Sequence, residues 1–263
     1  MLAKLLKYDL KYMIKNLSVF YILAIFFAIT TRIFFSLDQS FIVKLIGQIS
    51  VGCMFSMVAS ILINTMMRSW IRFRDSIYKD ESYLTHTLPV TKNDIYNSKF
   101  FQTLIFFIVG FIIILVTLFI TYYTKDRWID LKNYINTITT GLEFNTTLFI
   151  VSVITIIFFE VFNAIQCGFL GIILGYKMNS GKTGYSVLFG FCAYLIAQSI
   201  VLALTFIVGL FNSSIGDLFK NSILLDSNSF KLLVVLAIII YLIVIFLMSI
   251  ICKKELNKGV NVE

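Results

Sequence analysis

Read for polarity alone, the chain falls into six long apolar stretches divided by shorter polar ones. Residues 16–31, 45–67, 100–124, 183–216 and 232–252 carry no charged side chain, and a sixth stretch, 144–176, is interrupted only by Glu160. A helix that crosses a bilayer needs roughly 20 mostly apolar residues. Lipid accepts only self-bonded helices or closed barrels, and these stretches lack the two-residue alternation of barrel strands. The pattern therefore predicts an all-α integral membrane protein with six transmembrane helices, at about 17–37, 41–67, 100–123, 146–174, 185–211 and 231–252.

The polar stretches have character of their own. In residues 1–16, Leu2, Leu5, Leu6, Leu10 and Met13 fall on one side of a helical wheel and Lys4, Lys7, Lys11 and Lys15 on the other, which predicts an amphipathic interfacial helix resting on the membrane. Residues 68–98 contain no glycine and the one proline of the chain, Pro89. They read as span 2 continuing as a helix to about Tyr78, a short helix over 81–88, a break at Pro89 and a new start at Thr91, where Asp94 three residues on completes a capping pattern. Such a segment is a stiff crosspiece between two spans. In 124–145, Trp128, Ile129, Tyr134, Ile135 and Ile138 have helical spacing and suit a short helix at the outer interface. The stretch 212–230 carries enough apolar residues to dip back into the membrane, and 253–263 is a short basic tail.

Charge sets orientation. With six spans both termini share a side, and that side takes 15 of the 22 Lys and Arg residues, so the positive-inside bias puts both termini in the cytoplasm. The net charge of +8 then belongs to a rim facing anionic lipid, and nucleic acid is excluded as a partner. Nothing is left over for a soluble domain; 17–252 reads as one membrane domain. Residues 1–16 precede the first span and no small-residue cleavage site follows it, so a retained span is expected rather than a signal peptide. Cys53, Cys167, Cys192 and Cys252 all lie in or at the ends of apolar runs, which excludes a disulfide framework or a zinc site.

Small residues mark packing faces. Gly52, Ser56 and Ser60 in span 2, and Gly171 and Gly175 in span 4, recur every four residues, the spacing that lets helices approach closely in lipid. Arg32, near the outer end of span 1, is placed to reach water.

Candidate chemistry is sparse. Gly175, Gly181, Lys182 and Thr183 suggest a phosphate loop, but the spacing requires a glycine where Tyr176 stands, so the chain has no ATP site of its own. Glu160 lies mid-span with Asn163 and Gln166 on the same broad face, and a carboxylate there costs about 2.5 to 3.5 kcal/mol unless it faces protein or water. It is either a polar point on a translocation path or a clasp to Asn64 or Gln198 on other spans. His86, the single histidine, cannot assemble a metal site alone. No catalytic residue and no metal ligand set is expected.

The two-faced N-terminal segment, six spans with both ends inside, and the stretch ESYLTHTLPVTKNDIYNSK entering span 3 resemble the permease subunit of a type 2 ATP-binding-cassette (ABC) exporter of low-GC Gram-positive bacteria. The resemblance rests most on the LPVTK element with Lys99 just beyond. It implies that the crosspiece is a cytoplasmic coupling helix whose Glu81, Ser82, Tyr83, Leu84, Thr85, His86 and Thr87 dock on a separate cytosolic ATPase. ATP and Mg would belong to that partner, and no cofactor to this chain. A second permease copy or a sibling would pack through spans such as 2 and 5, in the bacterial cell membrane. The cargo would be amphipathic or lipid-like, an antimicrobial peptide among the candidates. The competing classes are a non-transporting sensor or assembly partner, and a proton-coupled carrier using Glu160.

Overall fold

The computed structural model describes residues 2–37, 40–79, 81–123, 129–130, 132–135, 137, 146–211 and 227–259. They contain helices and no strands, and six helices are long and apolar enough to cross a membrane. We number the helices α1 (Leu2–Ser36), α2 (Phe41–Tyr78), α3 (Ser82–Thr87), α4 (Lys92–Tyr122), α5 (Thr146–Gly175), α6 (Lys182–Phe211) and α7 (Ser227–Asn257). Large apolar side chains are exposed along all six long helices, among them Phe26, Phe55, Phe119, Ile157, Leu202 and Phe246. A surface of that kind is stable only in lipid. The chain is a multi-pass membrane protein.

The chain divides into two compact units, Met1–Trp128 and Ile129–Asn261. In the first, α1 packs on α2 and α4, and α2 on α4. Ala24 and Ala28 bring α1 close to its neighbours, and Ala24, Ile61 and Ile114 close one cluster, with Met13, Leu17 and Phe106 closing another. Nearer the far end of α1, Thr31 Oγ1 and Ser50 Oγ bond at 2.9 Å. Arg32, expected to reach for water, donates from Nη1 to the carbonyl of Ile120 at 3.0 Å and so satisfies an end group of α4.

Residues 1–16 do not form a separate element: α1 runs unbroken across the expected boundary at 16/17. The reason is packing. Met13 and Leu17 continue one i, i+4 stripe into the same buried cluster, so the apolar face of the segment lies against α4. The tail expected from residue 253 likewise begins as helix, since α7 extends to Asn257.

The crosspiece region follows its predicted outline closely. α2 continues as helix to Tyr78, α3 occupies 82–87, and Leu88 is extended before Pro89, as the residue before a proline prefers. Thr91 caps α4: its Oγ1 accepts from the amide of Asp94 at 3.1 Å and donates to Asp94 Oδ2 at 2.8 Å. Of the outer segment 124–145, residues 129–130, 132–135 and 137 are helical, and the rest of that expectation falls outside the described residues; so does the membrane dip expected within 212–230, except for 227–230, which are the start of α7.

In the second unit α5 packs on α6 and α7, and α6 on α7. The glycine pair of span 4 is a contact face: a Cβ on Gly171 would stand 2.4 Å from the amide nitrogen of Gly190, and one on Gly175 would stand 2.4 Å from that of Ser186. Backbones that close leave no room for a methyl group. The span 2 stripe differs. Gly52 and Ser56 are exposed, and a Cβ on Gly52 would meet nothing within 4 Å.

Candidate functional site

Two polar constellations interrupt these apolar units, one in each. The first anchors the crosspiece. Asp9, on the apolar side of α1, is 2% exposed. Its Oδ1 accepts from Arg72 Nε of α2 at 2.9 Å and from Lys99 Nζ of α4 at 2.5 Å, while Oδ2 accepts from Ser98 Oγ at 2.8 Å. Arg72 also donates from Nη1 to Glu81, the residue before α3, at 2.5 Å, and its guanidinium lies 4.7 Å from the centre of the Tyr12 ring. Two carboxylates thus balance two cations, and three of the four charged groups are nearly enclosed.

This arrangement depends on the fork of an arginine. A guanidinium presents fixed donors in different directions, so one side chain can hold a carboxylate on α1 and another at the foot of α3. Removing Asp9 would strand opposite charges in a poorly hydrated place, which is why the enclosed part of the network fixes geometry firmly, while Glu81, which ties α3 to it, is half-exposed.

On this footing α3 has an inner and an outer face. Ser82 is buried and Thr85 half-buried, whereas Tyr83 is 67% and Leu84 74% exposed. The hydroxyls of Thr85 and Thr87 are turned back on the carbonyls of Glu81 and Leu84, both at 2.9 Å, which stiffens the short helix. The side chain of His86 lies outside the described residues. An exposed tyrosine and leucine side by side, on a helix of six residues held by ion pairs, form a small apolar knob.

The second constellation is the clasp around Glu160 in α5. Oε1 accepts from Tyr194 Oη at 2.5 Å and from Gln198 Nε2 at 2.6 Å, both on α6, and Oε2 accepts from Tyr241 Oη of α7. Three donors from two other helices converge on one carboxylate. Of the sequence candidates, the structure brings Glu160 and Gln198 together. Asn64 instead donates to the carbonyl of Ser60 in its own helix at 2.9 Å. Gln166, fully buried, donates to Ser249 Oγ of α7 at 3.2 Å. Asn163 is fully buried one turn from Cys167, whose thiol points to its Oδ1 at 4.0 Å. No group of three or more potential metal ligands occurs among the described residues.

Asp9, Arg72, Ser98, Tyr194, Tyr241 and Ser249 are among the residues that sequence reasoning missed. Asp9 left a signal: it stands four residues from both Leu5 and Met13, a lone acid on the apolar face of an amphipathic helix. The two tyrosines left none, being among 13 in the chain. No family model matches the chain, and no curated protein and no solved structure matches it.

Proposed function

We propose that the chain is the membrane-spanning permease subunit of an ATP-driven exporter, coupled through α3 to a separate cytosolic ATPase. One observation carries this reading: α3 turns Tyr83 and Leu84 outward while Arg72 and Glu81 pin its base to the spans. An apolar knob held so firmly is suited to receive force from a second protein. A flexible loop would dissipate it.

In this mechanism two ATPase subunits sit beneath two permease copies, identical or paired with a sibling, in the bacterial cell membrane with their termini in the cytoplasm. ATP, with Mg, binds in the ATPases. Their closure displaces the α3 knobs, and because α2 is unbroken helix from Phe41 to Tyr78, the displacement tilts a whole span. Alternation between two arrangements of the spans then exposes an amphipathic or lipid-like cargo to the outside. The Glu160 clasp supports a structural role for that residue, since all three of its donors come from neighbouring helices of the same unit.

Co-purification tests the proposal. Expressed with its neighbouring genes, the chain should bring down an ATP-hydrolysing protein, and Tyr83→Asp or Leu84→Asp should abolish that association while the helical content is unchanged. Capture of a partner that lacks ATPase activity would point instead to an assembly or sensing role.

A further inference from the structure

We propose that the second unit holds one anionic phospholipid, its acyl chain in a groove between α5, α6 and α7 and its phosphate at the lysine-rich end of that groove. The groove has a volume of about 350 Å³ and an almost wholly apolar wall, to which Leu174, Phe189, Ala193, Ala197, Leu247 and Ile251 contribute. Ala193 and Ala197, one turn apart on α6, open it: their small side chains leave a furrow that larger residues on three helices surround.

One end of this furrow is basic from all three sides. A step of three residues beyond Leu174 on the α5 side reaches Lys177, and the same step beyond Ile251 on α7 reaches Lys254. On α6, Lys182 lies seven residues before Phe189, two helical turns along the same face. Glu255 stands at the same end, but it accepts from both Lys177 and Lys258, and Lys253 adds a further positive charge beside it. Lys182 Nζ also lies 5.7 Å from the centre of the Tyr176 ring. Among the described residues this end carries Lys177, Lys182, Lys253, Lys254 and Lys258 against Glu255, and a positive balance next to an apolar furrow fits an anionic headgroup with its chain attached. A second copy of the chain seated on the same furrow would bring its own lysines against these, a like-charge contact that disfavours it. The proposal needs neither ATPase nor cargo, and it bears on the exporter reading at one point only: a second copy packing through span 5 would have to use a face of α6 other than this furrow.

The test uses the full chain in nanodiscs of equal parts phosphatidylglycerol and phosphatidylcholine, released and weighed intact by native mass spectrometry. The wild type should retain one phosphatidylglycerol in preference to phosphatidylcholine. Lys182→Gln with Lys254→Gln should reduce that preference roughly thirtyfold, the scale expected when two basic contacts to an anionic lipid are lost. The control, Lys4→Gln with Lys7→Gln at exposed positions of α1, should leave it unchanged. Cys192→Trp, which fills the furrow from an exposed wall position, should abolish retention of either lipid, and decides the matter if the double variant fails to fold. Equal retention of the two lipids, retention indifferent to these substitutions, or a Cys192 to Cys192 cross-link between copies would each overturn the proposal.

Discussion

Lys99 Nζ reaches Asp9 Oδ1 at 2.5 Å across a separation of 90 residues, and both side chains are almost completely enclosed. The pair joins the start of α4 to α1 at the level where the chain has just left α3. Together with Arg72 it makes the N-terminal third of α1 part of the crosspiece's foundation, rather than a free segment resting on the membrane.

Asp9→Asn should therefore be costly. It leaves Arg72 and Lys99 facing each other with one carboxylate, Glu81, between them, and breaking an enclosed ion pair from one side costs about 3 to 5 kcal/mol. Lys99→Met should cost less, because Asp9 keeps Arg72 and Ser98. The double variant Asp9→Asn, Lys99→Met restores charge balance and should be more stable than Asp9→Asn alone. Unfolding in mixed micelles measures all three, and simple additivity of the two single effects would show that the groups are not coupled.

The two glycine faces should behave oppositely. Gly175→Ala places a methyl group against the backbone of Ser186, and overpacking of that kind costs about 1 to 3 kcal/mol or forces α5 and α6 apart. Gly52→Ala meets open space and replaces a poor helix former by the best one, a gain of up to about 1 kcal/mol. Parallel unfolding curves check the contrast, and equal effects at the two sites would contradict the packing described for α5 and α6.

Much of this was legible before any coordinate. Apolar runs, the Thr91 and Asp94 cap, the break at Pro89 and the Gly171 and Gly175 pair are all local patterns, and local periodicity survives in sequence. Contacts between distant residues do not. Asp9 lies 63 residues from Arg72, and nothing in either neighbourhood announces the other. Gln198 stood out as a rare amide in an apolar run, whereas Tyr194 and Tyr241 did not, because aromatic side chains are equally at home facing lipid. The expected break after residue 16 failed for a related reason: a two-faced helix can lay its apolar side on lipid or on α4, and the wheel is identical in both cases.

Glu160 offers a prediction that separates clasp from carrier. Tyr241→Phe and Gln198→Leu each remove one donor, and hydrogen bonds between helices in lipid are worth about 0.6 kcal/mol on average and up to about 1.7. Glu160→Leu removes the acceptor of all three and should cost more than either. Glu160→Gln keeps an acceptor oxygen for one tyrosine and turns an NH2 toward the other, whose hydroxyl can accept from it, so it should be milder than Glu160→Leu. Under the exporter reading transport survives Glu160→Gln and the collapse of the proton gradient; transport that stops in both cases, in a Glu160→Gln protein as stable as the wild type, would assign Glu160 to proton coupling.

Arg72→Lys addresses the crosspiece itself. An ammonium keeps the charge but lacks the fork, so it can hold Asp9 or Glu81 and not both in the present geometry. Charge balance is retained, so stability should change far less than in Asp9→Asn. Under the exporter reading the knob formed by Tyr83 and Leu84 is untouched, so the proposed ATPase should still be captured. What should fall is transport per ATP hydrolysed, together with protection of the amides of residues 82–88 from hydrogen exchange, because α3 has lost its tie to α1. Loss of protection with full coupling would mean that the tie is dispensable, and unchanged protection would mean that the backbone bonds donated by Ser82 and Thr85 to the carbonyls of Lys79 and Glu81 hold the crosspiece without it.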